Sequence, residues 1–186
     1  MTGSMMYCSF LRPDLMYHAS QLSKVMSRPT ATHMGLDRKV LQYLYDTHDN
    51  VITYRTRTIG WDRFEKKYCS LLSFSDSDWS CVIDTRRSHG CHILILAGGV
   101  ISWRSRSHKS VMISTASTEY YEGSEECWEV AFIRSIMEDF YKYKMDPTPL
   151  LIDNQAVICM SKLPQFTEKQ KHIPIRIFHL KEYCAE

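Results

Sequence analysis

Three acidic residues stand where a folded chain could gather negative charge at one point. Asp76 ends the apolar run 68–76, Asp153 ends the apolar run 150–153, and Glu119 lies near the start of a long helical pattern. Because ligands collect at the carboxyl ends of neighbouring strands, these acids could face one site. Three carboxylates without compensating lysines repel one another, which raises their pKa values or recruits a divalent cation.

Carboxylate oxygens are hard ligands that suit Mg²⁺ or Mn²⁺, and two such ions ~4 Å apart are the usual device for phosphodiester cleavage. Each acid also has a simpler interpretation. Asp153 and Asn154 could cap the following helix, and Glu119 could complement a helix macrodipole. Asp76 and Asp78 could be turn residues. A solvated acidic face is the alternative for Glu119, Glu122, Glu125, Glu126 and Glu129.

The first 65 residues are predicted to form a short helical segment. Apolar residues recur at helical spacing over 14–27 and again over 36–44. Residues 51–57 alternate apolar and polar side chains as a strand does. The charged stretch 61–67 follows, so we place a domain boundary near residue 65 and expect two parts, 1–65 and 66–186.

The second part has the pattern of an α/β domain. Its three β-like runs (68–76, 91–97 and 99–103) suggest an antiparallel meander with a hairpin at Gly98-Gly99. The longest helix, 116–143, carries an apolar stripe formed by Trp128, Phe132, Ile136 and Phe140. A strand buried on both faces at 150–153 and helices at 154–162 and 175–185 follow. A crossover would place the first strand beside the fourth, giving a mixed sheet flanked by helices.

The chain has 186 residues and a formal net charge of only +2, so any surface that binds nucleic acid must be local. Basic residues cluster before the long helix and in the preceding loop. We predict phosphate contacts from Arg86, Arg87, Arg104, Arg106 and Lys109. The alternative is a charged strand edge that resists pairing with other chains.

The seven cysteines include no C-x-x-C pair and mostly fall within apolar runs, which predicts reduced thiols in the core of an intracellular protein. No run approaches the ~18 apolar residues of a membrane span, and the N-terminus lacks the pattern of a signal peptide. We therefore expect a protein of the cytoplasm or nucleus with no membrane partner.

Several motifs together resemble one family. The stretches FSDSDWSCVIDTRRS (74–88), AGGVISWRS (97–105), STASTEYYE (114–122), LIDNQAV (151–157) and KHIPIRI (171–177) follow in consistent order and spacing. Upstream, LRPDLMYHASQLSKVMSRPT (11–30) and RKVLQYLYDTHD (38–49) also match. The chain resembles the end of the Pol polyprotein of copia-type LTR retrotransposons, from the close of reverse transcriptase through most of ribonuclease H.

This resemblance implies a ribonuclease H-like mixed sheet preceded by a short helical tether. It implies that Asp76, Glu119 and Asp153 are the first three metal-binding acids and that Mg²⁺, or Mn²⁺, is the cofactor. It also implies cleavage of the RNA strand of an RNA–DNA hybrid, with other parts of the polyprotein as further partners.

The sequence departs from the family in several respects, including replacements at Val82, Ser117 and Pro174. The family's fourth carboxylate and last strand lie beyond the KHIPIRI segment, whereas this sequence ends at Glu186, so we expect an incomplete domain with impaired activity. Cys81 and Cys91 stand where the family usually has glycine, which would strain any backbone with positive φ. A non-catalytic nucleic-acid-binding module and an inert relic are the alternatives.

Overall fold

A computed structural model describes residues 1–55, 71–82, 86–109, 111–112, 114–162 and 180. Its helices are α1 (Thr2–Cys8), α2 (Met16–Ser23), α3 (Ala31–Asp46), α4 (Thr115–Tyr141) and α5 (Gln155–Lys162), with a 3-10 turn at Pro13–Leu15. Its strands are β1 (Leu72–Val82), β2 (Arg87–Leu96), β3 (Gly99–Ser107) and β4 (Leu150–Leu151).

The four strands form one mixed sheet in the order β3-β2-β1-β4. β1 and β2, and β2 and β3, pair antiparallel, while β1 and β4 pair parallel. Helix α4 packs on β1 and β2, and helix α2 contacts β3. The predicted meander, the crossover and the α/β class are confirmed, and the architecture is that of a ribonuclease H-like sheet flanked by helices.

The β2–β3 hairpin turns at Ala97 and Gly98, one residue earlier than predicted. Both residues have positive φ, 52° and 75°, as a two-residue hairpin turn with the right-handed strand twist requires. Gly99 is buried beside Tyr54, and a Cβ at this position would lie 2.5 Å from the tyrosine ring. The glycine therefore allows the chain before the sheet to approach the hairpin closely.

The N-terminal helices have a core of their own. Met5, Leu15, Leu22 and Val40 are buried together, which confirms the two helices predicted in this segment. Thr30 caps α3, since its side chain accepts a hydrogen bond from the His33 amide while the Thr30 amide donates to the His33 ring. The segment is also joined to the sheet, because the Trp103 indole donates to the Ser9 carbonyl at 2.8 Å.

The prediction of a strand over 51–57 is wrong where it can be checked. Residues 51–55 belong to no strand, although the Arg55 amide donates to the Ala97 carbonyl and the Tyr54 hydroxyl donates to the Val100 carbonyl. These bonds hold the segment against the hairpin without a regular ladder. Residues 56 and 57 and the predicted boundary near residue 65 lie outside the described residues.

The apolar stripe of α4 does not form the core. Trp128, Phe132, Ile136 and Phe140 are between 50% and 78% exposed. The buried residues of α4 fall mainly between Thr118 and Cys127, where the helix lies on the sheet. The stripe occupies the half of the helix beyond this contact, which explains why its regular spacing did not lead to burial.

The last described elements are small. β4 has two half-buried residues, so the prediction of a strand buried on both faces is wrong. Helix α5 matches the predicted 154–162. Of the predicted helix 175–185 only Leu180 is described, and it is buried against Tyr120, Cys127 and Val157.

The cysteines fit the predicted reduced state where they are described. Cys8, Cys91, Cys127 and Cys159 are free thiols. Cys159 is exposed, which corrects the prediction that these thiols lie in the core. Cys91 pairs with Asp76 in the antiparallel ladder, and it is absent from the described residues with positive φ, so its side chain causes no backbone strain.

Candidate active site

Asp76 lies in the middle of β1, not at its end as predicted, because the strand continues to Val82. Side chains alternate along the strand, and Ser75 and Ser77 are buried on the side of α4 while Asp76 and Asp78 are exposed on the other side. The alternative that the two aspartates are turn residues is therefore wrong. The strand presents two carboxylates on one open face.

Asp153 is brought to Asp76 by the parallel pairing of β1 and β4. Phe74 lies opposite Leu151 in this register. Each aspartate follows its paired residue by two positions, so the two backbones carry Asp76 and Asp153 to the same level of the sheet. Both residues line one cavity of about 410 Å³, together with Phe74, Ser75, Cys91, His92, Ile93, Leu151 and Ile152.

Glu119 reaches the same region from α4. The helix begins at Thr115 after the Ser114 cap, so Glu119 lies in the second turn, where the macrodipole interpretation carries little weight. Its Oε1 accepts a hydrogen bond of 3.1 Å from the Asn154 side chain, while its buried Oε2 has no partner among the described residues. Burial raises the pKa of Glu119, the Asn154 bond opposes this, and the charges of Asp153 and Asp76 raise it further.

Asn154 is the residue that caps α5. Its Oδ1 accepts from the amides of Ala156 and Val157, at 2.8 and 3.4 Å, while its amide group donates to Glu119. Asp153 is exposed. The capping alternative thus applies to Asn154 and leaves the neighbouring carboxylate for another role.

The three acids form an open group with the chemistry of a hard-cation site. Among the described residues, no group of three or more His, Cys, Asp and Glu side chains is close enough to hold a metal ion. The donor set nevertheless fits Mg²⁺ or Mn²⁺, because all three side chains are carboxylates and one buried carboxylate oxygen of Glu119 has no partner in the described part of the chain.

The predicted phosphate-contacting residues fall into two groups. Arg86, Arg87 and Lys109 are exposed. Arg104 and Arg106 lie in β3 and pair with α4 instead. Arg106 lies 2.7 Å from Glu125, and Arg104 lies 3.3 Å from Glu122 and 3.4 Å from Glu125. Phosphate contact by either arginine stays a prediction and would compete with these ion pairs.

Comparison with known proteins places the chain in a family. It is 31% identical over 175 residues, 93% of this chain, to the Retrovirus-related Pol polyprotein from transposon RE2 of Arabidopsis thaliana. It is 26% identical over 97% of its length to the corresponding polyprotein from transposon TNT 1-94 of Nicotiana tabacum. The chain belongs to the copia-type retrotransposon Pol family. It spans 11% of the RE2 polyprotein and 13% of the TNT 1-94 polyprotein.

The similarity of this Pol-family chain extends to a shorter protein. The Secreted RxLR effector protein 161 of Plasmopara viticola is 32% identical over 132 residues, which are 70% of this chain and 87% of that protein. No protein-family model matches the chain. Among the described residues, no helix combines the length and the apolar character needed to cross a membrane.

Helix α4 of this Pol-family chain also holds a buried ionic group, centred on Glu122. The Glu122 side chain is 0% exposed and lies 3.1 Å from His92, 3.0 Å from His108 and 3.3 Å from Arg104. Burial opposes the ionisation of Glu122, but hydrogen bonds from the two histidines and the Arg104 charge lower its pKa below the usual range. A Cβ at Gly90 would lie 2.2 Å from the Glu122 carboxylate, so glycine leaves room for the group.

Glu126, one helical turn later, is buried under different conditions. Its Oε1 is hydrogen-bonded by the Ser73 hydroxyl, and its Oε2 has no partner among the described residues. Burial raises the pKa of Glu126 to about 8, partly opposed by the serine hydroxyls of β1. Glu126 is therefore mostly protonated at neutral pH, whereas Glu122 is ionised.

Sequence reasoning missed this second group of carboxylates. Glu122 and Glu126 are fully buried, so the alternative of a solvated acidic face is wrong for both. A signal was present in β1 and β2, where serines at 73, 75 and 77 and a histidine at 92 alternate with other residues. Such alternation indicates a polar strand face, and a helix packed on it can bury acids only with partners.

Proposed function

We propose that this chain is a ribonuclease H-like hydrolase that cleaves the RNA strand of RNA–DNA hybrids with Mg²⁺, or Mn²⁺, held by Asp76, Glu119 and Asp153. The observation that carries the proposal is the parallel register of β1 and β4, which sets Asp76 beside Asp153. The similarity to Pol polyproteins supports a role within a longer protein, whose other parts would be further partners.

The residues of this chain would divide the work. Asp76 and Asp153 present exposed carboxylates at one level of the sheet, and Glu119 adds the oxygen for which the described residues supply no partner. Asn154 orients Glu119 through its hydrogen bond to Oε1. Mg²⁺, when bound, supplies a Lewis acid that activates water and stabilises the leaving oxygen.

The raised pKa of Glu119 gives the proposed activity a pH dependence. Cation binding needs the ionised carboxylate, so protons compete with Mg²⁺ at this residue. Cleavage should fall on the acidic side of neutrality, and a higher Mg²⁺ concentration should shift the fall to lower pH.

The test is cleavage of an end-labelled RNA–DNA hybrid by the purified chain in Mg²⁺ and then in Mn²⁺. Asp76→Asn should abolish cleavage. Asp139→Asn makes the same chemical change at an exposed position 20 residues after Glu119, about 30 Å along an ideal helix, and should cleave as the wild type does. Folded wild-type protein that leaves the hybrid intact in both metals would overturn the hydrolase.

A non-catalytic nucleic-acid-binding module is the second candidate, favoured by the open arrangement of the three acids. It predicts hybrid binding that persists in EDTA and in Asp76→Asn. Replacing the exposed Arg86, Arg87 and Lys109 by alanine should then weaken binding and reduce its salt dependence. A gel-shift titration at two salt concentrations measures both effects.

A further inference from the structure

A second cavity, of about 280 Å³, lies where the N-terminal helical segment meets the sheet. The helical segment supplies Pro13, Met16 and Tyr17 to its wall. The sheet supplies most of the other lining residues, among them Asp76, Asp78, His89, Trp103 and Arg104. The helices therefore form part of a cavity wall that includes Asp76.

This cavity adjoins the cavity of the candidate active site. Asp76, Cys91 and Ile93 line both of them. A ligand in the second cavity would thus lie next to a molecule bound at the three acids. The sheet face on which Asp76 and Asp78 are exposed forms the common floor.

Two aromatic rings of the second cavity are held in place by their own contacts. The Trp103 indole is anchored by its hydrogen bond to the Ser9 carbonyl. The Tyr17 ring meets His89 edge-on at 5.4 Å, and His89 is in turn 2.7 Å from the Ser105 hydroxyl. Rigid aromatic surfaces of this kind are platforms on which nucleobases stack.

The polar lining selects the kind of ligand. Asp76 and Asp78 are exposed carboxylates, which accept hydrogen bonds from N–H groups. Arg104 also lines the cavity, but its charge is paired with Glu122 and Glu125. Burial, followed by the charge of Lys24, lowers the pKa of His89 to about 4, so the imidazole adds no positive charge at neutral pH. A neutral aromatic ring that carries an N–H donor matches this lining.

We propose that the second cavity is a subsite for an unpaired nucleobase with an exocyclic amino group. The base stacks on Tyr17, and its amino group donates to Asp78, as a cytosine amino group donates to acidic side chains in base recognition. Uracil has a carbonyl where cytosine has the amino group, so the carboxylate disfavours it. The inference rests on the proposed function, because it assumes a nucleic acid bound at the neighbouring acids.

The experiment compares CMP with UMP, which differ at this group, by ligand-observed saturation-transfer NMR on the full chain without divalent metal. We expect CMP to bind about tenfold more tightly than UMP. Tyr17→Ala should weaken CMP binding by roughly five- to hundredfold, the range for loss of one stacking platform, while Tyr17→Phe should retain it. Asp78→Ala should remove the preference for CMP over UMP.

Tyr7→Ala is the matched control, because Tyr7 is an exposed tyrosine of α1 outside the cavity, and it should bind CMP as the wild type does. Circular dichroism checks that each variant is folded. Equal binding of CMP and UMP, or wild-type affinity in Tyr17→Ala, would overturn the subsite. The hybrid-cleavage assay is independent: cleavage without CMP selectivity overturns only the subsite, and CMP selectivity without cleavage overturns only the hydrolase.

Discussion

Glu119 and Glu122 are three residues apart on one helix, yet they lie in opposite environments. Glu119 faces Asp153 and Asp76, keeps a buried oxygen without a partner among the described residues, and has a raised pKa. Glu122 is surrounded by two histidines and an arginine, and its pKa is lowered. The difference separates a carboxylate that is available to a cation from one whose interactions are already satisfied within the fold.

Two successive turns of α4 have different roles. Its buried turn, with Glu122, joins the helix to β2 and β3, while the turn before it presents Glu119 towards β1 and β4. An unsatisfied carboxylate is costly in a protein interior, so it is tolerated where the rest of the structure compensates. The ion pairs and hydrogen bonds of Glu122 stabilise the same helix and can offset the cost of the Glu119 oxygen that has no partner in the described part of the chain.

The largest expected effect concerns Glu122, the carboxylate whose interactions are satisfied within the fold. Glu122→Gln leaves the buried His92 and His108 and the partly buried Arg104 without their common carboxylate, so the free energy of unfolding should fall by about 3–5 kcal/mol. Urea denaturation followed by circular dichroism measures it. Asp139→Asn, at an exposed site on the same helix, should change stability by less than about 0.5 kcal/mol. A Glu122 variant as stable as this control would contradict the structural role.

The contributions of Glu126 and Glu122 to stability should depend on pH in opposite directions. In the folded chain Glu126 has a pKa of about 8, against 4.5 for the ordinary side chain, so the folded state holds an extra proton between these values. The contribution of Glu126 to stability is therefore greatest below pH 4.5 and declines as pH rises to about 8. Glu122, with its lowered pKa, contributes stability above pH 4.5 that is lost on acidification.

Glu126→Gln should therefore be more stable than the wild type at pH 8 by a few kcal/mol and nearly equal to it at pH 5. Melting temperatures measured across this pH range test the difference. The reverse order at pH 8 would show that the folded chain holds Glu126 ionised.

The smallest expected effect concerns Glu119 and the hydrogen bond that it accepts from Asn154. Asn154→Asp retains an oxygen that can cap α5, so stability should change by less than about 1 kcal/mol. The substitution removes the hydrogen-bond donor to Glu119 and adds a fourth negative charge, so the pKa of Glu119 should rise. The acidic limb of the cleavage profile should move to higher pH. Asn154→Ala separates the two roles, because it costs about 1 kcal/mol of cap energy without adding charge. An unshifted profile in Asn154→Asp would exclude an influence of residue 154 on Glu119.

Most elements of the fold followed from periodicity and turn chemistry, because both are local. Alternation and the Gly98-Gly99 pair predicted the β2–β3 hairpin, and apolar spacing predicted α3, α4 and α5. The motif positions of Asp76 and Asp153 implied a shared site. The β1–β4 pairing ends two residues before each aspartate, and both aspartates line one cavity.

The errors came from information that a local pattern does not contain. The spacing of Trp128, Phe132 and Ile136 defines a face of α4, but the sheet lies under a different part of the helix. The burial of Glu122 could not be predicted from its own segment, because its partners His92, Arg104 and His108 lie 14 to 30 residues earlier in the sequence.

The hydrogen bond between Trp103 and Ser9 joins residues 94 positions apart. At roughly 5–20 residues per second, translation delivers the indole on the order of ten seconds after Ser9. The contacts among Met5, Leu15, Leu22 and Val40 need no residue of the sheet, so they can form in this interval. The cavity beside Tyr17 is complete only when β3 docks, because its helical residues are synthesised before those of the sheet.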